Sequence, residues 1–447
     1  MIRIRKRSPK KQANEPEPAS EKFVDSRLVR PGVFVSKLDR PWSETPFMLE
    51  GFLVRTQQEA EQIQRQCKYV YIDVRRGDDV SERANLIGIK AAEPQTPDVV
   101  QEPSADESAW APEYRTGLAR HSTWPYAVSV EQEIRPALDL HRNTRATIDQ
   151  ILQDARLGHS IDSPPAQEMV AELAESIVRN PEALTFLTQL RRVDEYLTFH
   201  SLNVCIFALV FGRHLGLSRE DLHALGLGAL LHDIGYTKLP ANLIGKPGQL
   251  TPREFDVMKT HVEQGVAILR GAVGIPAAAV EAVQDHHERL DGSGYPRGLS
   301  AGKIGIFGLA TAIVDSYDAA TTDRPWRSGS TPYDALGDLY RRRKSEFHEG
   351  LVLEFIQCVG IYPVGSLVEL TTGDVAVVLT SDPRYRLLPK VRLMMDPEGR
   401  RYETPIIVDL LHPHGSGIME PIKIKAAVHP GVYGITGKDL AEATFLH

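Results

Sequence analysis

Cysteine is scarce. Cys67, Cys205 and Cys358 are the only three in 447 residues, and no two of them stand in a C-x-x-C pair. An odd number of widely separated thiols excludes a disulfide framework and a cysteine-rich zinc site, and suits a reducing compartment. No apolar run approaches the roughly 20 residues that span a bilayer, and the opening MIRIRKRSPKKQ lacks the apolar stretch of a secretory signal. These absences predict a cytoplasmic protein with no membrane partner. A surplus of basic charge is missing as well: the formal net charge is -7. Counterion-release binding needs a broad basic face, so a nucleic-acid polymer is not expected as partner, whereas small nucleotides remain compatible. No repeat of solenoid period is present.

The texture of what is present changes along the chain. Residues 1–22 open basic and continue in Pro, Glu and Ser, the composition of a disordered, solvated tail. Residues 23–92 mix short apolar runs, GVFV and YVYID, with one helical stretch, TQQEAEQIQRQC, which predicts a small α+β domain with a possible regulatory role. The run AAEPQTPDVVQEPSADESAWAPEY and its continuation read as an acidic, Pro-rich linker, assigned to residues 93–127. Residues 128–365 are helical throughout, beginning with VEQEIRPALDLHRNTRATIDQILQDAR, whose apolar positions recur at three- and four-residue spacing. Residues 366–447 turn to strand-like runs, SLVEL, VAVVL, KVRLMM and TPIIVDLL, divided by TTGD and DPEG turns. The expected fold class is therefore multidomain: a small α+β domain, an all-α domain and a small β-rich C-terminal extension. The long helix near 130–158 could pair with a copy of itself in a homodimer, and capping its own domain explains its apolar face equally well.

The helical part carries seven dispersed imidazoles and carboxylates: His200, His232, Asp233, His261, His286, His287 and Asp315. Singly none is informative, since a lone helical histidine usually serves as a hydrogen-bonded structural residue. Together, nitrogen and oxygen donors without thiolates suit iron, manganese or zinc. The pair His232–Asp233 follows the apolar run ALGLGALL and precedes Ile-Gly, at the buried C-terminal end of a helix. A carboxylate buried there is costly unless something positive compensates. An aspartate bridging two cations about 3.5–4 Å apart is one solution, and a helix-ending ion pair is another.

The run LHDIG (231–235), then LPANLIGKPGQLT, MKTHVEQG, DHHERLDGSGYPRGL and IVDSYDAATTDRPWR, resembles the HD-GYP family in order and spacing, over residues 190–365. Gly294-Tyr295-Pro296 is the GYP element. The RPGVFV and PWSETPF runs near the start resemble the uncharacterised domain often found ahead of HD-GYP. The resemblance implies a metal phosphohydrolase in which all seven donors ligate two divalent metals, iron or manganese before zinc or others, with His232 and Asp233 at the catalytic centre. It implies cyclic di-GMP as substrate, opened to linear pGpG and in some members cut on to GMP. Arg324 and Arg327 of the RPWR element match positions that contact phosphate or guanine, although a solvated arginine pair has the same appearance. Tyr295 lies in the loop that members use at the site mouth or to dock other signalling domains, and Asp194 is a further substrate-side candidate. Some members place a Glu four residues before the first histidine to recruit a third metal. Here that position is Tyr196, which implies two metals, and Glu195 points about 100 degrees away around the helix.

One departure stands out. Many members read HD-x-GK, and here the lysine position is Tyr236, a phenol that donates a hydrogen bond but brings no positive charge. Lys238, two residues on, could swing in or remain an exposed loop lysine. The expectation is thus a cyclic di-GMP phosphodiesterase, with a cyclic di-GMP receptor of little turnover as the alternative. A third reading is an HD hydrolase for other nucleotides: the HHERLDGSGYP string counts against guanosine polyphosphates and leaves a mixed cyclic dinucleotide open.

Overall fold

The computed structural model describes residues 21–39, 52–54, 57–74, 77–80, 124, 126–161, 163–189, 196–244, 246, 248–323, 328–380, 387–411, 422–436, 439–440 and 443. The chain divides into two compact units, Met1–Ser104 and Ala105–His447.

In the first unit four antiparallel strands lie in the order β1-β4-β2-β3, with β1 at Glu21–Asp25, β2 at Phe34–Leu38, β3 at Phe52–Leu53 and β4 at Tyr69–Asp73. Alternation in YVYID buries Val70 and Ile72, and helix α1, Gln57–Gln66, adds Ala60 and Ile63 to the same core. Strand β1 begins at Glu21, two residues inside the segment expected to be a tail. Residues 1–20 and most of the expected linker lie outside the described residues.

The second unit opens with helix α2, Val130–Leu157, started by a capping box between Ser129 and Gln132 and closed by Gly158 in the left-handed region at φ 82°. Its apolar stripe, Ile134, Ala137, Ile148, Ile151, Leu152 and Ala155, is buried in the core of its own unit, so domain capping accounts for that face. Helices α3 (Ser163–Arg179), α4 (Pro181–Leu187), α5 (Tyr196–His214) and α6 (Arg219–Leu231) contribute to this core, with residues such as Val266 and Val283 further along the chain. Short helices α7 (Ala241–Ile244) and α8 (Pro252–Lys259) precede α9 (His261–Arg270), α10 (Ala277–Asp285), α11 (Ile306–Thr321), α12 (Pro332–Arg342) and α13 (Glu349–Val359).

Helix α5 corrects one expectation. At 19 residues it is long and apolar enough to cross a membrane, and it escapes a search for unbroken apolar runs because charged and polar residues flank its apolar stretch. Inside the protein, 89% of that window is buried: α5 is apolar all round because it is the central helix of the bundle.

After the helices, five antiparallel strands form a sheet in the order β8-β7-β6-β5-β9: β5 Leu367–Leu370, β6 Val375–Thr380, β7 Lys390–Met395, β8 Arg401–Asp409 and β9 Ile424–Val428. Strand β9 was not expected, since IKAAV is short and partly alanine.

Two internal contacts lead to stability predictions. Glu133, 2% exposed, accepts hydrogen bonds from Ser176 Oγ at 2.7 Å and from Arg179 Nε and Nη2 at 2.9 and 2.7 Å, tying α2 to α3. Glu133→Ala strands the fully buried Ser176 hydroxyl and is expected to cost about 1–3 kcal/mol, read as a lower urea midpoint. His348 caps α13 by accepting the Leu351 N–H at its Nδ1, 3.2 Å away, and burial depresses its pKa to about 4. The folded pKa lies below the unfolded value near 6.5, so the unfolded chain binds the extra proton. The cap's contribution is complete above pH ~6.5 and fades as pH falls towards 4. His348→Asn, whose side chain caps without titrating, is expected to flatten the wild-type stability slope across that window.

Candidate metal centre

Helix ends and glycine packing bring the seven donors to one place. His232 caps the C-terminus of α6 and Asp233 follows it. His261 opens α9, His286 caps α10 with His287 next, and His200 and Asp315 sit within α5 and α11. Directly after Asp233 the chain makes a 3-10 turn, Ile234–Lys238, against the start of α9. Gly235 makes that approach possible, because a side-chain carbon there would lie 1.8 Å from the His261 carbonyl oxygen.

The donors form two groups, Asp233 with His261, His286 and His287, and His200 with His232 and Asp315, the donor atoms of each group within 4.8 Å of one another. Asp233 faces both. Its Oδ1 lies 3.3 Å from His261 Nε2 and 3.6 Å from His286 Nε2, and its Oδ2 lies 3.3 Å from His232 Nε2 and 3.7 Å from His200 Nε2.

The remaining ring nitrogens fix the ring orientations. Nδ1 of His232, His261 and His286 donates to the carbonyls of Ala229, Met258 and Val283, each at 2.8 Å, and Nδ1 of His200 donates to Asp318 Oδ2 at 2.8 Å. With Nδ1 so engaged, four rings turn Nε2 inward, that of His200 lying 3.1 Å from Asp315 Oδ1. His261 Nε2 and His286 Nε2 face each other at 3.4 Å, and His232 Nε2 and Asp233 Oδ1 are buried with no hydrogen-bond partner. Buried polar atoms without partners are costly. A set of imidazole nitrogens and carboxylate oxygens all aimed at one another is the arrangement a cation would satisfy, so these residues fit a metal.

Burial opposes charge on His200 and His232, yet Tyr196, Asp315 and Asp318 around the first and Asp233 beside the second raise both imidazoles above their ordinary pKa, so these two rings hold protons that a cation would displace. Burial opposes ionisation of Asp233, yet the imidazoles of His232, His261 and His286 hold its carboxyl well below the usual range. Burial likewise opposes charge on Asp315, and His200 outweighs it, so that acid is depressed too. Burial, aided by His286, keeps His287 neutral far below its ordinary pKa. Both carboxylates are charged and His287 carries an open lone pair, as metal ligation needs, while His200 and His232 would release a proton on binding a cation.

Asp318, fully buried, escaped the sequence reading. It stands three residues after Asp315, on the same face of α11, and besides His200 it takes hydrogen bonds from Asn203 Nδ2 at 3.1 Å and Thr322 Oγ1 at 3.3 Å. The signal was available: a second acid at i+3 from a ligand candidate fits a carboxylate that orients the histidine.

Three tyrosines rim the donors. Tyr196 stacks on His200 with centroids 5.3 Å apart, Tyr236 on His261 at 4.2 Å, and Tyr295 lies against His287 at 4.6 Å. Burial, reinforced by the Asp233 charge, pushes the Tyr236 phenol well above its ordinary pKa, so it is a protonated donor. Lys238 does not replace the missing lysine: its Nζ donates to the Ala155 carbonyl at 2.6 Å, in the last turn of α2. Asp194, Glu195, Arg324 and Arg327 lie outside the described residues. Beside the arginines, Asp323 Oδ1 accepts the Gly329 N–H at 2.7 Å and lies 3.2 Å from His429 Nε2, which follows β9.

Comparison with known proteins matches residues 173–350 to the family model of the HD domain, residues 21–166 to a domain of unknown function, and residues 367–427 to a KOW domain associated with HD domain. The second match runs on through α2. A Pseudomonas aeruginosa protein named cyclic di-GMP phosphodiesterase is 34% identical over 398 residues, 87% of this chain and 89% of that one. A Thermotoga maritima protein of the same name is 36% identical over 175 residues, 39% of this chain and 47% of that protein. A Vibrio cholerae protein named 3'3'-cGAMP-specific phosphodiesterase 1 is 32% identical over 191 residues, 42% of this chain and 43% of that protein. Among solved structures, a Bdellovibrio bacteriovorus protein described as an HDG"Y"P protein overlays with a TM-score of 0.42 at 13% identity, covering 75% of this chain and 98% of that one.

Proposed function

This chain belongs to the HD-GYP family, and from that premise we propose that it is a metal-dependent cyclic di-GMP phosphodiesterase of the cytoplasm, which opens its substrate to linear pGpG. Phosphodiester hydrolysis is the coarser part of the reading, and the names of its relatives support it. The observation that carries the finer part is the position of Asp233 between two sets of inward imidazole nitrogens. His200, His232 and Asp315 would hold one divalent ion, His261, His286 and His287 the other, and Asp233 both. Bound there, two such ions supply Lewis acidity and a water acidified towards neutral pH. Iron or manganese suits this donor set first, with zinc also compatible. The Tyr196 ring, stacked on His200, fills the position from which a carboxylate would recruit a third ion.

The chain's own groups do the rest. Buried Nδ1 contacts hold His200, His232, His261 and His286 each in one orientation. Tyr295 and Tyr236 lie against His287 and His261, the latter tyrosine offering a neutral O–H donor where other members bring an ammonium. Arg324 and Arg327 are assigned to the substrate's phosphates or guanine edges, and Asp194 to the same side. The GYP loop also remains a candidate surface for other signalling domains, and residues 23–92, 128–365 and 366–447 are proposed as the domain division.

The test is metal-loaded protein with labelled cyclic di-GMP and, in parallel, the mixed cyclic GMP-AMP dinucleotide. Linear product accumulating from cyclic di-GMP is expected; saturable binding without product over hours would make the protein a receptor, and preference for the mixed dinucleotide would reassign the substrate. Because Lys238 is committed to α2, Tyr236→Lys restores a cation at the site and is expected to raise turnover roughly tenfold at unchanged metal content. No gain in a folded variant removes the missing charge as an explanation for slow turnover.

A further inference from the structure

The loop between Arg289 and Ser300 doubles back over the segment that supplies two of the donors. Its base is closed by Leu290 N–H to Glu346 O at 3.0 Å, Ala301 N–H to Leu290 O at 2.9 Å and a bridge between Asp291 and Ser300. At Gly294 it touches that segment: a side-chain carbon there would lie 2.5 Å from His287 O and 2.6 Å from Glu288 Cα. The next residue, Tyr295, donates its N–H to His287 O at 3.2 Å and sets its ring against the His287 imidazole.

What keeps the far arm of the loop down is Glu288. Its side chain is 0% exposed, and its two oxygens divide between two backbone donors: Oε1 accepts from Arg297 N–H and Oε2 from Leu299 N–H, each at 2.8 Å. A carboxylate without solvent is expensive to bury, and here the two amides, with the Arg297 guanidinium 4.0 Å away, compensate it. Neither amide belongs to a helix or strand, so without Glu288 both would lack a protein partner, and the arm would be held only by the Arg297–Asp285 ion pair and the bridge at its base. Both Glu288 oxygens are thus engaged by backbone amides of the loop.

We infer that Glu288 is a positioning residue for the reaction: by holding the two amides that follow the Tyr295–Pro296 peptide, it fixes the Tyr295 ring against His287 and so shapes the substrate side of the centre. The inference rests on the phosphodiesterase reading for its kinetic test and on geometry alone for its structural one.

Glu288→Gln keeps size and loses charge and one acceptor, while Glu288→Asp keeps charge but shortens the reach. In both, amide hydrogen exchange at residues 295–299 is expected to accelerate by at least tenfold while two metals per chain are retained. KM is expected to rise roughly tenfold with kcat changed much less, because the loop walls the substrate and not the ions. The deciding measurement is the cycle with Tyr295→Ala: if Glu288 acts through that ring, the Gln variant's effect on KM disappears in the Tyr295→Ala background. Effects that simply multiply, unchanged exchange at 295–299, or loss of metal from a folded variant would each overturn the inference. Wild-type protein without turnover would instead sink the phosphodiesterase reading, and the exchange and metal measurements would still decide the role of Glu288.

Discussion

Asp233→Ala is expected to leave a folded protein that retains less than one of the two metals and has lost activity by on the order of 10³-fold or more. The expectation comes from position, not from charge alone. Each oxygen of Asp233 addresses a different set of imidazoles, so one truncation removes a ligand from both ions and the negative charge that lets two cations lie close together. Asp318→Asn makes the graded comparison: it only weakens the acceptor that orients His200, and should reduce metal affinity by about 10–100-fold. Elemental analysis of anaerobically purified variants, alongside the product assay, checks both. An Asp233→Ala protein with undiminished metal would show that the ions, if any, sit elsewhere.

Metal loading is expected to raise the melting temperature of the helical unit by about 10 °C over chelated protein. At ions a thousandfold above their dissociation constant, binding to the native state alone contributes about 4 kcal/mol, and a domain of this size gains roughly 2–4 °C per kcal/mol. The direction follows from the unpartnered His232 Nε2 and Asp233 Oδ1, which leave the metal-free cluster with desolvated polar atoms facing one another. Scanning calorimetry with and without chelator measures it. Equal midpoints at two metals per chain would mean that the ions bind the unfolded chain as well as the native one, contrary to a preformed site.

How much of this was legible in the sequence depended on whether a residue's meaning is local. The helices and the β texture after residue 366 follow from periodicity, and the seven donors could be singled out because their residue types and order match the composite HD and GYP strings. Asp233 as a shared carboxylate was among the sequence readings, but the division of the imidazoles into two groups was not legible, since which oxygen faces which ring is set by how α5, α6, α9, α10 and α11 pack. Asp318 was missed for a related reason: a buried acid in a helix declares its purpose only when its partner, His200, 118 positions away, is seen on its ring nitrogen. Lys238 shows a reading that sequence could only leave open. A stand-in cation and an exposed lysine were both open readings; Lys238 is exposed, and the end of α2 offered its ammonium a carbonyl that sequence distance concealed. Strand β9 shows the ordinary weakness of short strands, whose pairing with β5 is a tertiary choice more than a local preference.

Gly235 shows that the reach of His261 towards Asp233 is governed by an omission. A single methyl group added at that position would meet the peptide of His261, and the first turn of α9 would have to move outward by more than an ångström to admit it. All seven proposed ligands would remain in the sequence, yet the gap between the two halves of the cluster would widen beyond what a shared carboxylate can span. A chain carrying alanine there would therefore look fully equipped on inspection and still fail to hold its ions as a pair.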